Sequence, residues 1–325
     1  PGHVQYTRNM VTGASTANLA LILVDARKGV IEQTKRHTFI ASLLQIPHVF
    51  VCINKMDLVD YSQEAYDRVV KEYTDFAAKL DVQDVRFIPM SALHGDNVVT
   101  RSEKMSWYEG GTLLHNLETV HISADYNLRD CRFPVQTVIR PHTDEYHDFR
   151  GYAGKVYGGE LSIGDGVLAL PSKIKTKIKS IYFYDQEVQT ASRRSSVTIT
   201  LEDEINISRG DMITKTDNPP VVDKQLTAKI AWMDQDSLTV GSKYIIQHGV
   251  NKVLAKVDRI HHTIKTDFSG IIEGVSQLDL NDIALVSFKL NKPIFYDAFK
   301  NHRTNGSFII IDPQTNTTAG AGFIQ

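Results

Sequence analysis

Residues 49–57 read VFVCINKMD, five apolar residues running straight into Asn54-Lys55-Met56-Asp57. An unbroken apolar run of strand length is how a parallel strand buried on both faces reads. A polar loop at its carboxyl end is where open α/β sheets bind their ligands. Residues 19–24 form a second run of this kind, also expected to be buried on both faces, and residues 85–90 a third. Helical patterns lie between them. Residues 32–44 carry Thr38, Ile40, Leu43 and Leu44 on their later turns. Ser62 can cap a second helix, in which Tyr66, Val69, Val70, Tyr73, Ala77 and Leu80 recur at helical spacing. A short helix over residues 112–118 closes the block. This alternation predicts a parallel sheet wrapped by helices.

After Val120 the helical period disappears. Short alternating segments take over at residues 135–139, 154–157, 167–170, 178–184, 197–201 and 211–214, punctuated by Gly158-Gly159 and Gly164-Asp165-Gly166. Asp217-Asn218-Pro219-Pro220 reads as a linker, because proline stiffens the chain and cannot donate to a ladder. A second strand series follows at residues 227–232, 243–247, 253–264, 283–290 and 307–311. Two all-β units in succession are best accommodated as small closed barrels, which bury their own edges. The expected fold class is therefore α/β plus all-β, with domains at residues 1–122, 123–220 and 221–325.

The 325 residues are 42% apolar and 23% charged, with a net charge of −2. That is the balance of a folded globular chain, and it lacks the basic stripe of a dedicated nucleic-acid binder. Cys52 sits in an apolar run and Cys131 in what reads as a polar connector, which argues against a disulfide framework or zinc site and for a reducing cytoplasm. No apolar run approaches the length needed to cross a bilayer, and with no basic stripe either, neither membrane nor nucleic acid is expected as a partner. The chain opens on Pro1-Gly2-His3 rather than Met, and is expected to be a fragment.

The chemistry concentrates at three places. A carboxylate at Asp57 can accept both the ring N–H and the exocyclic amine of guanine, a donor pair that adenine lacks. Asn54 can reach the base and brace neighbouring loops, and the Lys55 stem can lie along the purine. Ser91-Ala92-Leu93 follows the next strand, where backbone N–H groups can meet the guanine carbonyl. Pro1-Gly2-His3 precedes a helical segment over residues 4–12.

This spacing of Pro-Gly-His and Asn-Lys-x-Asp resembles translation-factor-type GTPases of the elongation factor Tu kind. Several segments resemble one branch of them, the GTP-binding subunits of sulfate adenylyltransferase. They include Gly13-Ala14-Ser15-Thr16, Asp25 to Val30, Gln33 to His37, Ser91-Ala92-Leu93 with Gly95-Asp96-Asn97, Trp107-Tyr108, Arg132 to Gln136, Asp148 to Gly154, Glu204 to Asp211 and Ala231-Trp232-Met233. The resemblance implies an incomplete P-loop GTPase domain followed by two β-barrels. It implies GTP with Mg²⁺ as the nucleotide. Pro1, Gly2, His3, Asn54, Lys55, Met56, Asp57, Ser91, Ala92 and Leu93 then form the nucleotide site. Gly2 senses the terminal phosphate, and His3 is the catalytic residue that orients the attacking water. It further implies a partner, the catalytic subunit that joins sulfate to the AMP part of ATP, with hydrolysis of GTP driving that uphill step. The helix after Gly2 is the expected moving part.

No Gly-x-x-x-x-Gly-Lys-Ser/Thr loop occurs in these residues, so most phosphate contacts and the Mg²⁺ ligands are expected elsewhere, and no metal site is assigned here. Two rivals remain at this stage: an elongation factor whose barrels bind aminoacyl-tRNA, and a degenerate scaffold that hydrolyses nothing. His142, Asp144, Glu145, His147 and Asp148 read as a solvated loop, and adjacent strand residues His261 and His262 point to opposite faces. Arg193-Arg194 reads as a hairpin tip.

Overall fold

The computed structural model describes residues 7–82, 84–122, 127, 129–140, 149–265 and 270–325. The backbone packs as two compact units, Pro1–Asp125 with Ile264–Ile271 and Tyr126–Thr263 with Ile272–Gln325. No helix among the described residues is long and apolar enough to cross a membrane.

In the first unit three parallel strands stand side by side in the order β1 (Leu19–Asp25), β2 (His48–Asn54) and β3 (Asp84–Pro89). Among the described residues four α-helices accompany them: α1 (Thr7–Ala14), α2 (Glu32–Leu43), α3 (Gln63–Ala77) and α4 (Leu113–Thr119). Ser62 caps α3 by accepting from the Ala65 N–H at 3.3 Å, and Thr112 caps α4 by accepting from the His115 N–H at 3.2 Å. Val69, Tyr73 and Phe76 form the buried stripe of α3. The Tyr73 hydroxyl meets that of Thr38 on α2 at 2.8 Å, so the two helices share a satisfied polar contact inside the core.

The central strand behaves as its sequence predicts, with Val49 to Ile53 buried on both faces. The first strand does not. Ile22 and Val24 are buried, but Leu21 is 41% and Leu23 63% exposed. Among the described residues β1 pairs with β2 alone, so it is an edge with one covered face. An apolar run carries no information about which of its faces has a layer above it.

The second unit holds two antiparallel rings. In the first, strands Ser196–Leu201, Gly151–Lys155, Arg132–Ile139, Met212–Lys215, Gly166–Leu170 and Ile174–Phe183 pair in that order. The last returns to the first, with Thr198 opposite Tyr182. Its core includes Phe133, Val135, Tyr152, Leu161, Ile181 and Ile199, together with Cys131. Cys131 is thus a core residue rather than part of a polar connector. In the second ring, strands Lys243–His248, Ser307–Ile311, Thr318–Ile324, Val221–Trp232, Ile283–Tyr296 and Asn251–Ile264 pair in order, and the last closes onto the first. Trp232 is buried in this second core, edge-on to Tyr244 at 5.3 Å, and its indole N–H donates to the Asp236 carbonyl at 2.9 Å. That accounts for the Trp as barrel packing.

A buried polar seam joins the rings. Arg132, 1% exposed, comes from the first ring and makes a two-pronged contact with Asp297 beyond the last residue of a second-ring strand: Nε to Oδ2 at 2.9 Å and Nη2 to Oδ1 at 2.8 Å. Its Nη1 donates to the Cys131 and Asn218 carbonyls and to Thr214 Oγ1 at 3.1, 2.8 and 3.1 Å. The 217–220 linker is therefore pinned to the seam. Asn305 donates to Asp297 Oδ2 at 2.7 Å.

Two buried histidines lie behind this pair. His302 Nδ1 accepts from the Asn305 N–H at 3.1 Å, and His248 Nε2 donates to the Asn305 carbonyl at 2.8 Å. Burial holds both below the ordinary value of 6.5, although Asp297 pulls in the opposite direction. The unfolded chain then binds protons more readily than the folded one. The stabilisation is complete above about pH 6.5 and is lost as pH falls below it. The urea midpoint of the complete protein is accordingly expected to drop between about pH 7.5 and about pH 5.5. His302→Gln should reduce that dependence by about one proton. An unchanged slope would mean that His302 is already charged in the fold.

Candidate functional site

At the end of β2 the chain turns sharply. Lys55 takes a left-handed conformation, with φ of 65°, and leads into a one-turn helix over Met56–Val59. Asn54 makes this turn possible and ties it to a distant loop. Its Oδ1 accepts from the Lys55 N–H at 2.7 Å and from the Ala92 N–H at 2.9 Å. The strand ends are stitched together below it by the Met56 N–H donating to the Met90 carbonyl at 3.2 Å and the Met90 N–H to the Ile53 carbonyl at 2.8 Å.

Asp57 and Ser91 meet across this junction. The fully buried Ser91 hydroxyl donates to Asp57 Oδ1 at 2.6 Å and accepts from the His94 N–H at 3.4 Å. One carboxylate oxygen is thereby oriented, and the other has no protein donor among the described residues. Leu93 is 81% exposed, and its N–H is unengaged among the described residues. Met56 differs from its neighbours. Its side chain is fully buried.

Lys55 does not float. Its Nζ donates to Asp25 Oδ2 at 3.0 Å, and Asp25 stands opposite Asn54 in the β1–β2 register. Arg27 grips the same carboxylate with its backbone N–H, Nε and Nη2 at 3.0, 3.0 and 2.7 Å. The Arg27 guanidinium holds Asp25 well below the usual carboxylate range, against the opposing effect of partial burial. Charge reasoning along the sequence overlooked Asp25 and Arg27 as site residues. The available signal was positional: Asp25 ends the apolar run adjacent in the sheet to the one ending at Asn54.

Asn54, Lys55, Asp57, Ser91, Ala92 and Leu93 are thus neighbours. Pro1, Gly2 and His3 lie outside the described residues, as do residues 4–6 of the expected moving helix, which is described over Thr7–Ala14. His142, Asp144, Glu145, His147 and Asp148 also lie outside them. Among the described residues no group of three or more His, Cys, Asp or Glu is placed to hold a metal ion. His261 is taken by Ser287, its Nε2 lying 2.7 Å from the hydroxyl oxygen. The arrangement can present one oriented carboxylate, one exposed backbone donor and a braced lysine to a flat ligand with paired N–H donors. Guanine has that shape.

Comparison with known proteins gives consistent results. The family model of the elongation factor Tu GTP binding domain matches residues 1–129, and that of the GTP-eEF1A C-terminal domain-like family matches residues 225–325. The chain is 50% identical to sulfate adenylyltransferase subunit 1 of Bacteroides fragilis, covering 100% of this chain and 67% of that protein. It is 48% identical to the protein of the same name from Bacteroides thetaiotaomicron, covering 100% and 68%. Among solved structures, Sup35 complexed with GMPPNP shares the fold, with a TM-score of 0.56 and 22% identity over 96% of this chain and 79% of that one.

Proposed function

The chain belongs to the sulfate adenylyltransferase subunit 1 family, and from that premise we propose that it binds and hydrolyses GTP to drive sulfate activation on a partner subunit. The partner is a catalytic subunit that joins sulfate to the AMP part of ATP, releasing pyrophosphate and adenosine 5′-phosphosulfate. The structural observation that supports this reading is the Ser91-oriented Asp57 carboxylate at the carboxyl end of β2.

In this proposal the free oxygen of Asp57 and its Ser91-bound partner accept the two N–H donors of guanine, a charge-assisted pair that adenine cannot supply. Leu93 offers its N–H to the guanine carbonyl. Asn54 holds the loop that carries that donor, and Lys55, braced by Asp25, lays its methylenes along the ring. Gly2 and His3 are assigned to the terminal phosphate and to the attacking water. Mg²⁺, when bound with GTP, offsets charge on the phosphates. Domains at residues 1–122, 123–220 and 221–325, and a cytoplasmic location, belong to the same proposal.

The coupling can be tested with the complete protein and its catalytic partner. Release of pyrophosphate from ATP and sulfate is followed with GTP, with GDP and with no guanine nucleotide. GTP is expected to raise the accumulated adenosine 5′-phosphosulfate by about tenfold or more. Equal accumulation in all three mixtures would sink the reading.

A further inference from the structure

The two walls of the pocket, the turn at residues 54–61 and the loop at residues 91–93, are joined by a third segment. Asp96 stands at its centre. Its Oδ2 accepts from the Tyr61 hydroxyl at 2.9 Å, and its Oδ1 accepts from the Ser102 hydroxyl at 2.7 Å. Its own carbonyl accepts from the Ser91 N–H at 3.2 Å. One residue therefore grips the turn through its carboxylate and the loop through its backbone.

Neighbours reinforce the grip. Lys104 Nζ donates to the Tyr61 hydroxyl at 3.0 Å, lies 3.8 Å from Asp96 Oδ2 and sits 4.8 Å over the Tyr61 ring. The Trp107 indole N–H donates to the Tyr61 carbonyl at 3.1 Å. Buried Asn97 donates to the Pro89 carbonyl at 3.0 Å and accepts from the Ser102 N–H at 2.8 Å. The turn needs such support. Asp60 and Tyr61 both have left-handed backbone, with φ of 50° and 54°, and although Asp tolerates that conformation, the bulky Tyr61 seldom holds it without surrounding contacts.

We infer that Asp96 is a positioning residue that sets how long guanine nucleotide stays bound. The inference rests on the Asp57 site being the guanine site. The carboxylate fixes the spacing between Asp57 on the turn side and the Leu93 N–H on the loop side. A base held at both ends leaves when those walls part, and parting them breaks either the Tyr61 bond to the Asp96 carboxylate, which Ser102 holds in place, or the Ser91 bond to the Asp96 carbonyl. Differences between related complexes of this kind fall mainly on dissociation.

Stopped-flow displacement of N-methylanthraniloyl-GDP from the complete protein tests this, using Asp96→Asn and the milder Tyr61→Phe. Dissociation is expected to accelerate by about tenfold and about threefold respectively, with association within about twofold of the parent. The thermal midpoint of Tyr61→Phe should be unchanged, and the preference for guanine over adenine should persist. A general structural defect would instead lower the midpoint and leave the rate ratio alone. Dissociation within about twofold of the parent in the folded variants overturns the inference, and Tyr61→Phe decides by itself if Asp96→Asn does not fold. A parent that fails to bind GDP overturns both this inference and the guanine reading, and so is told apart from failure of the clamp alone.

Discussion

Replacing Asp57 with Asn is expected to convert the pocket from guanine to xanthine nucleotides, with GTP affinity falling on the order of 10²- to 10³-fold. The carboxylate is an acceptor only, and Ser91 already donates to one of its oxygens. Guanine supplies N–H donors that match the rest. An Asn side chain keeps the shape but turns one acceptor into an NH₂ donor, which then faces the guanine amine. Hydrogen bonds to a charged partner contribute about 1.5–3 kcal/mol each, and a mismatched buried donor adds a desolvation cost. Xanthine carries a carbonyl where guanine carries the amine, so the same change creates an acceptor–donor match. Competition titrations of GTP, XTP and ATP against one labelled nucleotide would read the switch. Unchanged GTP affinity in the variant would place guanine recognition elsewhere.

Arg132→Ala is expected to destabilise the second unit by about 3–5 kcal/mol, one of the largest single-residue effects in the chain. The guanidinium is buried, and its removal leaves Asp297 with only Asn305 as a donor from this network. It also removes the donor to the Asn218 carbonyl, whereas the Cys131 carbonyl still accepts from the Thr214 hydroxyl at 3.0 Å. Burial alone would raise the Asp297 carboxyl, and the hydrogen bonds from Arg132 and Asn305 outweigh it, so the group is held below its ordinary range. That balance fails once Arg132 is gone. The paired change Arg132→Met with Asp297→Leu should recover most of the loss, because no unpaired charge remains. Urea unfolding of the single and double variants measures both numbers. A double variant as unstable as the single one would show that packing, rather than charge, is what Arg132 supplies.

The parts of this molecule that could be read from the sequence are those where local pattern and burial coincide. Val49 to Ile53 is apolar because both faces are covered, and Ser62 precedes α3 because a hydroxyl satisfies one of the free N–H groups of its first turn. The strand Thr318–Ile324 escaped notice for the opposite reason. Its sequence, TAGAGFI, is poor in strand-forming residues. Yet side chains at its glycines would collide with neighbours: a Cβ on Gly322 would fall 2.2 Å from the Phe308 ring, and one on Gly320 3.0 Å from the Ala231 carbonyl. Small residues are required there by the partner strands, which no window along the chain reveals. At the proposed nucleotide site, the proximity of Asn54, Asp57 and Ser91 was legible through their spacing. Asp25, Asp96 and Tyr61 were not, because their importance comes from contacts across 30, 6 and 35 residues of sequence.

The seam between the rings also limits how such proteins can be recombined. Arg132 is contributed by one ring and Asp297 by the segment following a strand of the other, so neither ring carries a complete set of counter-charges. Exchanging a single ring with a relative that fills this place differently would trap an unmatched ion away from water. Viable hybrids should inherit the rings as an inseparable pair, together with the Asn218 stretch strapped across them.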